Sequence, residues 1–182
     1  MTDTAGIGLL PSRIDPREEY GHMWVYWTTN EPSDRVPYRG YWPDLGTLPE
    51  GISIDDIEGA LEFIRHNSVQ GLLAIDMLAH DLHTSAGNGS CYEGFWSPTP
   101  EEKFLLDLKC SIPLGVEKIA RGRYSWDESR PDWNNCSSWV IKIINRVVRD
   151  SSFLRCRHPK RLKMVIEDIW GKTRPPVSRG LR

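Results

Sequence analysis

Asn134-Asn135-Cys136-Ser137-Ser138-Trp139-Val140-Ile141-Lys142-Ile143-Ile144-Asn145-Arg146-Val147 is the clearest helical stretch in the chain. Cys136, Val140, Ile143, Ile144 and Val147 recur at the three- and four-residue spacing that places them on one face of a helix. Asparagine just ahead of the first periodic residue is a helix-start signal. The stretch therefore predicts a helix that buries one stripe and carries a cysteine in its first turn. Unpaired N–H groups and partial positive charge at a helix N-terminus favour a thiolate, and the same groups can hold an oxyanion. Asn134 and Asn135 are candidates for the cap or for an extra oxyanion donor. The competing interpretation is a small buried residue in the core stripe, because free cysteine is among the most buried residue types.

Upstream, Gly21-His22-Met23-Trp24-Val25-Tyr26-Trp27 alternates in the manner of a half-buried strand, predicted over residues 20–28. His22, Trp24 and Tyr26 share one face; Met23, Val25 and Trp27 share the other. A histidine on a strand and a cysteine at a helix start are the two parts a thiol nucleophile requires, one as base and one as attacking group. Val36-Pro37-Tyr38-Arg39-Gly40-Tyr41-Trp42 reads as a second strand in a hairpin with the first, and Pro37 pushes it toward a sheet edge.

Ser53 is the expected cap of a helix with Ile54, Ile57, Leu61 and Ile64 facing inward. Residues 69–82 are apolar and fit strand or helix alike. Thr99, Pro100, Glu101 and Glu102 form a strong helix start, and that helix is expected to turn Phe104, Leu105, Leu108 and Cys110 inward. Tyr124-Ser125-Trp126 suggests a short extended segment, and residues 159–170 a final helix. The expected organisation is a flexible lead-in over residues 1–19, one domain over 20–172, and a basic disordered tail over 173–182.

The bulk properties fit one soluble domain: 182 residues, 39% hydrophobic and 26% charged, enough to bury a core without staples. No apolar run approaches the length of a membrane-spanning helix. The N-terminal residues lack the basic and apolar regions of a signal peptide, so synthesis in the cytoplasm is expected, with export by a leaderless route left open. The four cysteines, Cys91, Cys110, Cys136 and Cys156, form no Cys-x-x-Cys pair, which opposes a zinc ribbon and leaves reduced thiols as the default. Net charge is −2, yet residues 142–182 carry twelve basic against three acidic side chains. A basic end of that kind folds back on the acidic body or grips an anionic partner. It lacks the aromatic–basic interleaving of nucleic-acid readers, so nucleic acid is not the expected partner. Asp76, His80 and His83 would share a helix face and form the one candidate metal set. No fourth ligand accompanies them, and neither metal nor cofactor is expected.

Gly21-His22-Met23-Trp24-Val25, Tyr38-Arg39-Gly40-Tyr41-Trp42-Pro43, and Tyr124 with Asn135-Cys136-Ser137-Ser138-Trp139-Val140 together resemble the circularly permuted papain-like hydrolases. These are the permuted branch of the NlpC-type superfamily, which also holds the lecithin–retinol acyltransferase-like enzymes. The resemblance spans residues 22–148. It implies an α+β permuted papain-like fold, an antiparallel sheet packed against the N-terminus of a Cys-bearing helix, with the histidine strand ahead of the cysteine helix. It also implies a Cys136–His22 dyad cleaving an amide (peptide or isopeptide) bond in cell-wall peptides or a target protein, in the manner of a delivered toxin effector. The family usually adds a third polar residue on the next strand to orient the imidazole. Tyr38, Arg39, Tyr41 and Asp44 are the candidates, and none matches cleanly. Trp24, Tyr26, Trp42 and Trp133 are the candidate substrate-groove residues. The alternatives are a non-catalytic binding module with an aromatic groove and basic C-terminal region, or a lipid acyltransferase or thioesterase of the same fold.

Overall fold

The computed structural model describes residues 3–10, 21–28, 37–84, 92–113, 115–127 and 133–148. Their architecture is α+β. Strands β1 (Ala5–Leu10), β2 (His22–Trp27), β3 (Tyr38–Pro43), β4 (Val69–Ile75), β5 (Tyr92–Trp96), β6 (Lys118–Tyr124) and β7 (Trp133–Asn134) form one sheet in the order β5-β1-β2-β3-β4-β6-β7. The first six pair antiparallel, and the two-residue β7 adds in parallel beside β6. Helices α1 (Ile57–His66), α2 (Met77–Thr84), α3 (Pro100–Cys110) and α4 (Cys136–Val147) complete the fold. None is long and apolar enough to cross a membrane among the described residues.

Strand alternation divides the sheet into two faces. Met23, Val25 and Trp27 of β2, Tyr41 of β3, Leu73 of β4 and Ile7 and Leu9 of β1 enter the main core with Val140, Ile143, Ile144 and Val147 of α4. Each large side chain of that set contributes about 1.5–3 kcal/mol by leaving water. Helix α4 lies against β2 and β3, while α3 lies against α4. His22, Trp24 and Tyr26 point to the opposite face, where Trp24 packs with Ala79 of α2, Leu10 and Tyr38.

The lead-in expected over residues 1–19 is corrected in part: Ala5–Leu10 is a buried strand between β5 and β2. Ala5, Ile7 and Leu9 supply the inward alternation, and the intervening Gly6 and Gly8 are small for a packing reason. A Cβ on Gly8 would overlap the Trp24 indole, and one on Gly6 would stand 2.5 Å from Phe95 Cδ1. Two aromatic rings therefore lie flat across β1, and glycines that resemble a turn signal belong to a strand interior. Pro37 immediately precedes β3, so β3 sits between β2 and β4 rather than at an edge.

Helix α1 starts later than expected, capped by Asp56, whose carboxylate accepts from the Gly59 N–H at 2.9 Å. Ile54 and Ile57 are accordingly exposed. The 69–82 segment contains both alternatives, a strand and then a helix. Helix α3 starts with the expected Thr99 cap, but Phe104 and Leu108 are each 63% exposed, and Leu106 and Cys110 are the buried residues. Helix α4 starts at Cys136 behind an Asn135 cap, as its pattern predicts. The 159–170 helix and the 173–182 tail lie outside the described residues.

Gly8→Ala is expected to lower stability by about 1–3 kcal/mol, the usual cost of forcing a methyl group into a packed site. Urea denaturation checks it; an unchanged midpoint would mean that β1 is not held against Trp24.

Candidate active site

Three chain segments bring three polar side chains together. His22 is the first residue of β2, Asp76 follows the last residue of β4, and Cys136 opens α4. Register explains the first pair. Trp24 faces Gly40 across β2 and β3, and Gly40 faces Ala74 across β3 and β4. Counting along these ladders, His22 stands level with Trp42 and Asp76 with Tyr38, whose carbonyl accepts the Asp76 N–H at 2.9 Å. The diagonal between them passes over Gly40. Along it, Asp76 Oδ2 reaches His22 Nε2 at 2.7 Å.

Asp76 is fully buried and His22 is 6% exposed. A carboxylate removed from water requires compensating donors. Asp76 has His22 on one oxygen, and its other oxygen accepts from the Ala79 N–H at 3.0 Å in the first turn of α2. One carboxylate thus both caps a helix and holds the imidazole. The His22 ring also lies on Trp42, centroid to centroid 3.9 Å at 32°, which fixes its plane.

Cys136 is positioned from two sides. Its apolar helix stripe seats α4 on the sheet. Asn135 closes a capping box, its side chain accepting from the Ser138 N–H at 2.8 Å while Ser138 Oγ accepts from the Asn135 N–H at 2.9 Å. By position, the N–H groups of Cys136 and Ser137 have no partner within the helix. Strand β7 delivers the chain to this point, since Asn134 pairs beside Tyr124. Tyr124 is buried, its phenol set against Cys136. Behind it, Tyr41 stacks on Tyr124 at 5.7 Å and on Trp139 at 6.0 Å.

The electrostatics follow from this arrangement. Burial alone would lower the His22 pKa, but hydrogen bonds to Asp76 and Cys136, with the charges of both, raise it to about 9. Burial would raise the Cys136 thiol; the His22 hydrogen bond and charge, the Met23 N–H and the Ser137 hydroxyl instead bring it below the ordinary thiol value. With Nε2 held by Asp76, the imidazole keeps Nδ1 for the sulfur. Both shifts act in the direction of the charged imidazole and thiolate forms. Burial pushes the Tyr124 phenol well up, so it stays neutral as a donor. Cys110, at the end of α3, is pushed up to about 12 by burial.

The other residues singled out by sequence fall as follows. Tyr38 shares the His22 face of the sheet but stacks on Tyr26 at 5.2 Å. Arg39 and Tyr41 point to the core face; the guanidinium lies over Trp27 at 5.2 Å, and the Tyr41 hydroxyl donates to the Arg121 carbonyl. Asp44 is occupied in accepting from the Gly46 N–H at 3.1 Å. The carboxylate on the imidazole is therefore Asp76, which the sequence pattern groups with His80 and His83 as a metal set. Among the described residues no cluster of three or more metal-ligating side chains occurs. Asn134 accepts from Lys142 Nζ at 2.5 Å. Trp24 is fully buried under α2, so it belongs to the core and not to a groove, while Tyr26 and Trp42 are half-buried. The Trp133 side chain lies outside the described residues. A signal for Asp76 does exist in the sequence: it stands where the apolar 69–75 run breaks, one residue ahead of a helix.

No protein-family model, curated protein or solved structure matches the chain.

Asp76→Asn is expected to let the His22 pKa fall from about 9 toward or below the ordinary 6.5, because the largest raising influence is gone while burial remains. The sign carries through to the thiol. A group raised in the folded state keeps its proton until about pH 9, so the wild-type imidazolium supports the thiolate throughout the neutral range. In Asp76→Asn that support ends near neutrality and the thiol pKa rises. Alkylation of Cys136 at pH 6 should slow by about tenfold or more. An unchanged rate profile would show that Asp76 does not govern the pair.

Proposed function

We propose that the protein is a cysteine hydrolase of permuted papain-like type that cleaves an amide bond with a Cys136–His22–Asp76 triad. The observation that carries this reading is the buried 2.7 Å contact between His22 and Asp76, in a site where the same imidazole lowers the pKa of a helix-N-terminal thiol. A core cysteine with no chemical role needs neither an imidazole nor a carboxylate behind it.

The proposed sequence of steps begins with attack of the Cys136 thiolate on the carbonyl carbon. The tetrahedral oxyanion forms at the α4 N-terminus, where the Ser137 N–H, unpaired within the helix, is an available donor. His22 Nδ1 gives its proton to the departing amine as the C–N bond breaks, leaving a thioester. Water then attacks the thioester, His22 takes the water proton, and the acid is released with the thiolate restored. Asp76 holds the ring tautomer through its contact with Nε2, the role a carboxylate has in such triads. The order His22, Asp76, Cys136 along the chain is the permuted one. Peptide and isopeptide bonds, in cell-wall peptides or a target protein, are the proposed substrates.

Cys136→Ala is expected to abolish cleavage of muropeptides and test peptides, read by mass spectrometry, while leaving the melting temperature nearly unchanged. In wild type, Cys136 should react with iodoacetamide at pH 6 ahead of Cys110. Equal labelling of the two in the folded protein, or cleavage surviving in Cys136→Ala, would reject the reading.

A further inference from the structure

The contact between His22 and Asp76 spans a full strand. β2 and β4 are both neighbours of β3, and adjacent strands lie about 4.8 Å apart, so the two residues belong to strands about twice that distance apart. Side chains on one face normally fill the space above the intervening strand. Here it is left open at one position. A Cβ on Gly40 would overlap Asp76 Oδ2, stand 3.1 Å from Asp76 Cγ and 2.6 Å from Trp42 Nε1. The carboxylate that orients the imidazole and the indole on which the imidazole lies therefore both occupy the volume of the missing side chain. Alternation reinforces the point: residues 38 and 42 on the same face are aromatic, and only residue 40 between them is bare.

We propose that Gly40 is a positioning residue of the site: its missing side chain is the opening through which Asp76 crosses β3 to hold His22, and any side chain there uncouples the pair. The proposal rests on the triad reading for its functional meaning but concerns a contact that is measured without substrate. The structure gives Gly40 no other special requirement, since glycines with positive φ among the described residues are Gly51, Gly115 and Gly122. Alanine at residue 40 meets no backbone penalty, and its effect comes from the Asp76 and Trp42 side chains. The ionisable groups facing His22 are Asp76 from the β4–α2 junction and Cys136 from α4, with the Tyr124 phenol of β6 beside the sulfur.

The test is a double-mutant cycle of Gly40→Ala and Asp76→Asn in the full chain, read by NMR titration of His22 and by the pH dependence of Cys136 alkylation. Gly40→Ala alone should reproduce both shifts of Asp76→Asn: a fall in the His22 pKa and at least a tenfold slower alkylation at pH 6. Added to Asp76→Asn it should move both readouts far less than it does alone, the remainder coming from the displaced Trp42 indole, a non-additivity that generalised damage does not give. If Gly40→Ala does not fold, Gly40→Ala with Asp76→Gly should restore folding by clearing the carboxylate from the new methyl group. A folded Gly40→Ala with the wild-type His22 titration would overturn the proposal, as would a double variant that stays unfolded. Failure of the hydrolase reading is seen separately, as a wild type that cleaves nothing while its His22 titration still responds to residue 40.

Discussion

A carboxylate reaching an imidazole across an intervening strand is the constraint on which the rest of the site depends. It requires the β2–β3–β4 register, because one residue of slip would turn His22 or Asp76 to the other face of the sheet. It requires a bare position at residue 40. It also requires that β4 end at Ile75, so that Asp76 can leave the ladder and begin a helix. The second oxygen of Asp76 is then satisfied by the Ala79 N–H, and the buried charge is balanced by a donor on each oxygen. A buried charge lacking such partners would cost several kcal/mol and protonate instead.

The site has a helix end at each of two of its members. Asp76 stands at the N-terminus of α2 and Cys136 at the N-terminus of α4, and His22 lies between. Partial positive charge at both helix ends favours the two anions, and the imidazolium is attracted by both. This accounts for a histidine that holds its proton in a buried position, where an isolated imidazole would lose it. The two elements carrying the anions contact the sheet on opposite faces: Ala79 of α2 packs on Trp24, while α4 packs on the face of Met23 and Val25. His22, at the start of its strand, is where the two faces can share one side chain.

Much of this was open to reading from local pattern, and what was not has a common physical cause. The α4 stripe, the Asn135 and Thr99 caps and the alternation of β2 depend on neighbours within a few residues, and each stands in the structure as its sequence suggests. Asp76 acts on a residue 54 positions away through a strand that separates them. Its local company, His80 and His83, makes a metal pattern that is stronger to the eye than a lone aspartate at a strand end. β1 is obscured for a similar reason, because Gly6 and Gly8 are chosen by the rings of Phe95 and Trp24, which come from other strands. Cys110 is buried as its spacing suggests, yet Phe104 and Leu108 of the same stripe along α3 are exposed and the neighbouring elements take up Leu106 instead. In each case the deciding partner is distant in sequence.

The two described free cysteines isolate what lowers the pKa of a buried thiol here. Cys110 and Cys136 are both buried, at 0% and 7% exposure, and both belong to helices. Burial raises both thiols. Near Cys110 the charges of Arg39, Arg121 and Lys109 pull in the other direction, but they act at a distance and the thiol is still pushed up to about 12. At Cys136 the opposing influence is the His22 imidazole, whose charged form Asp76 favours, and the balance reverses. Position in the helix points the same way, since Cys110 closes α3 at the negative end of its dipole and Cys136 opens α4 at the positive end. Burial therefore does not silence a thiol in this fold. What separates the two is an imidazole set against the thiol, with a carboxylate that crosses β3 to reach it.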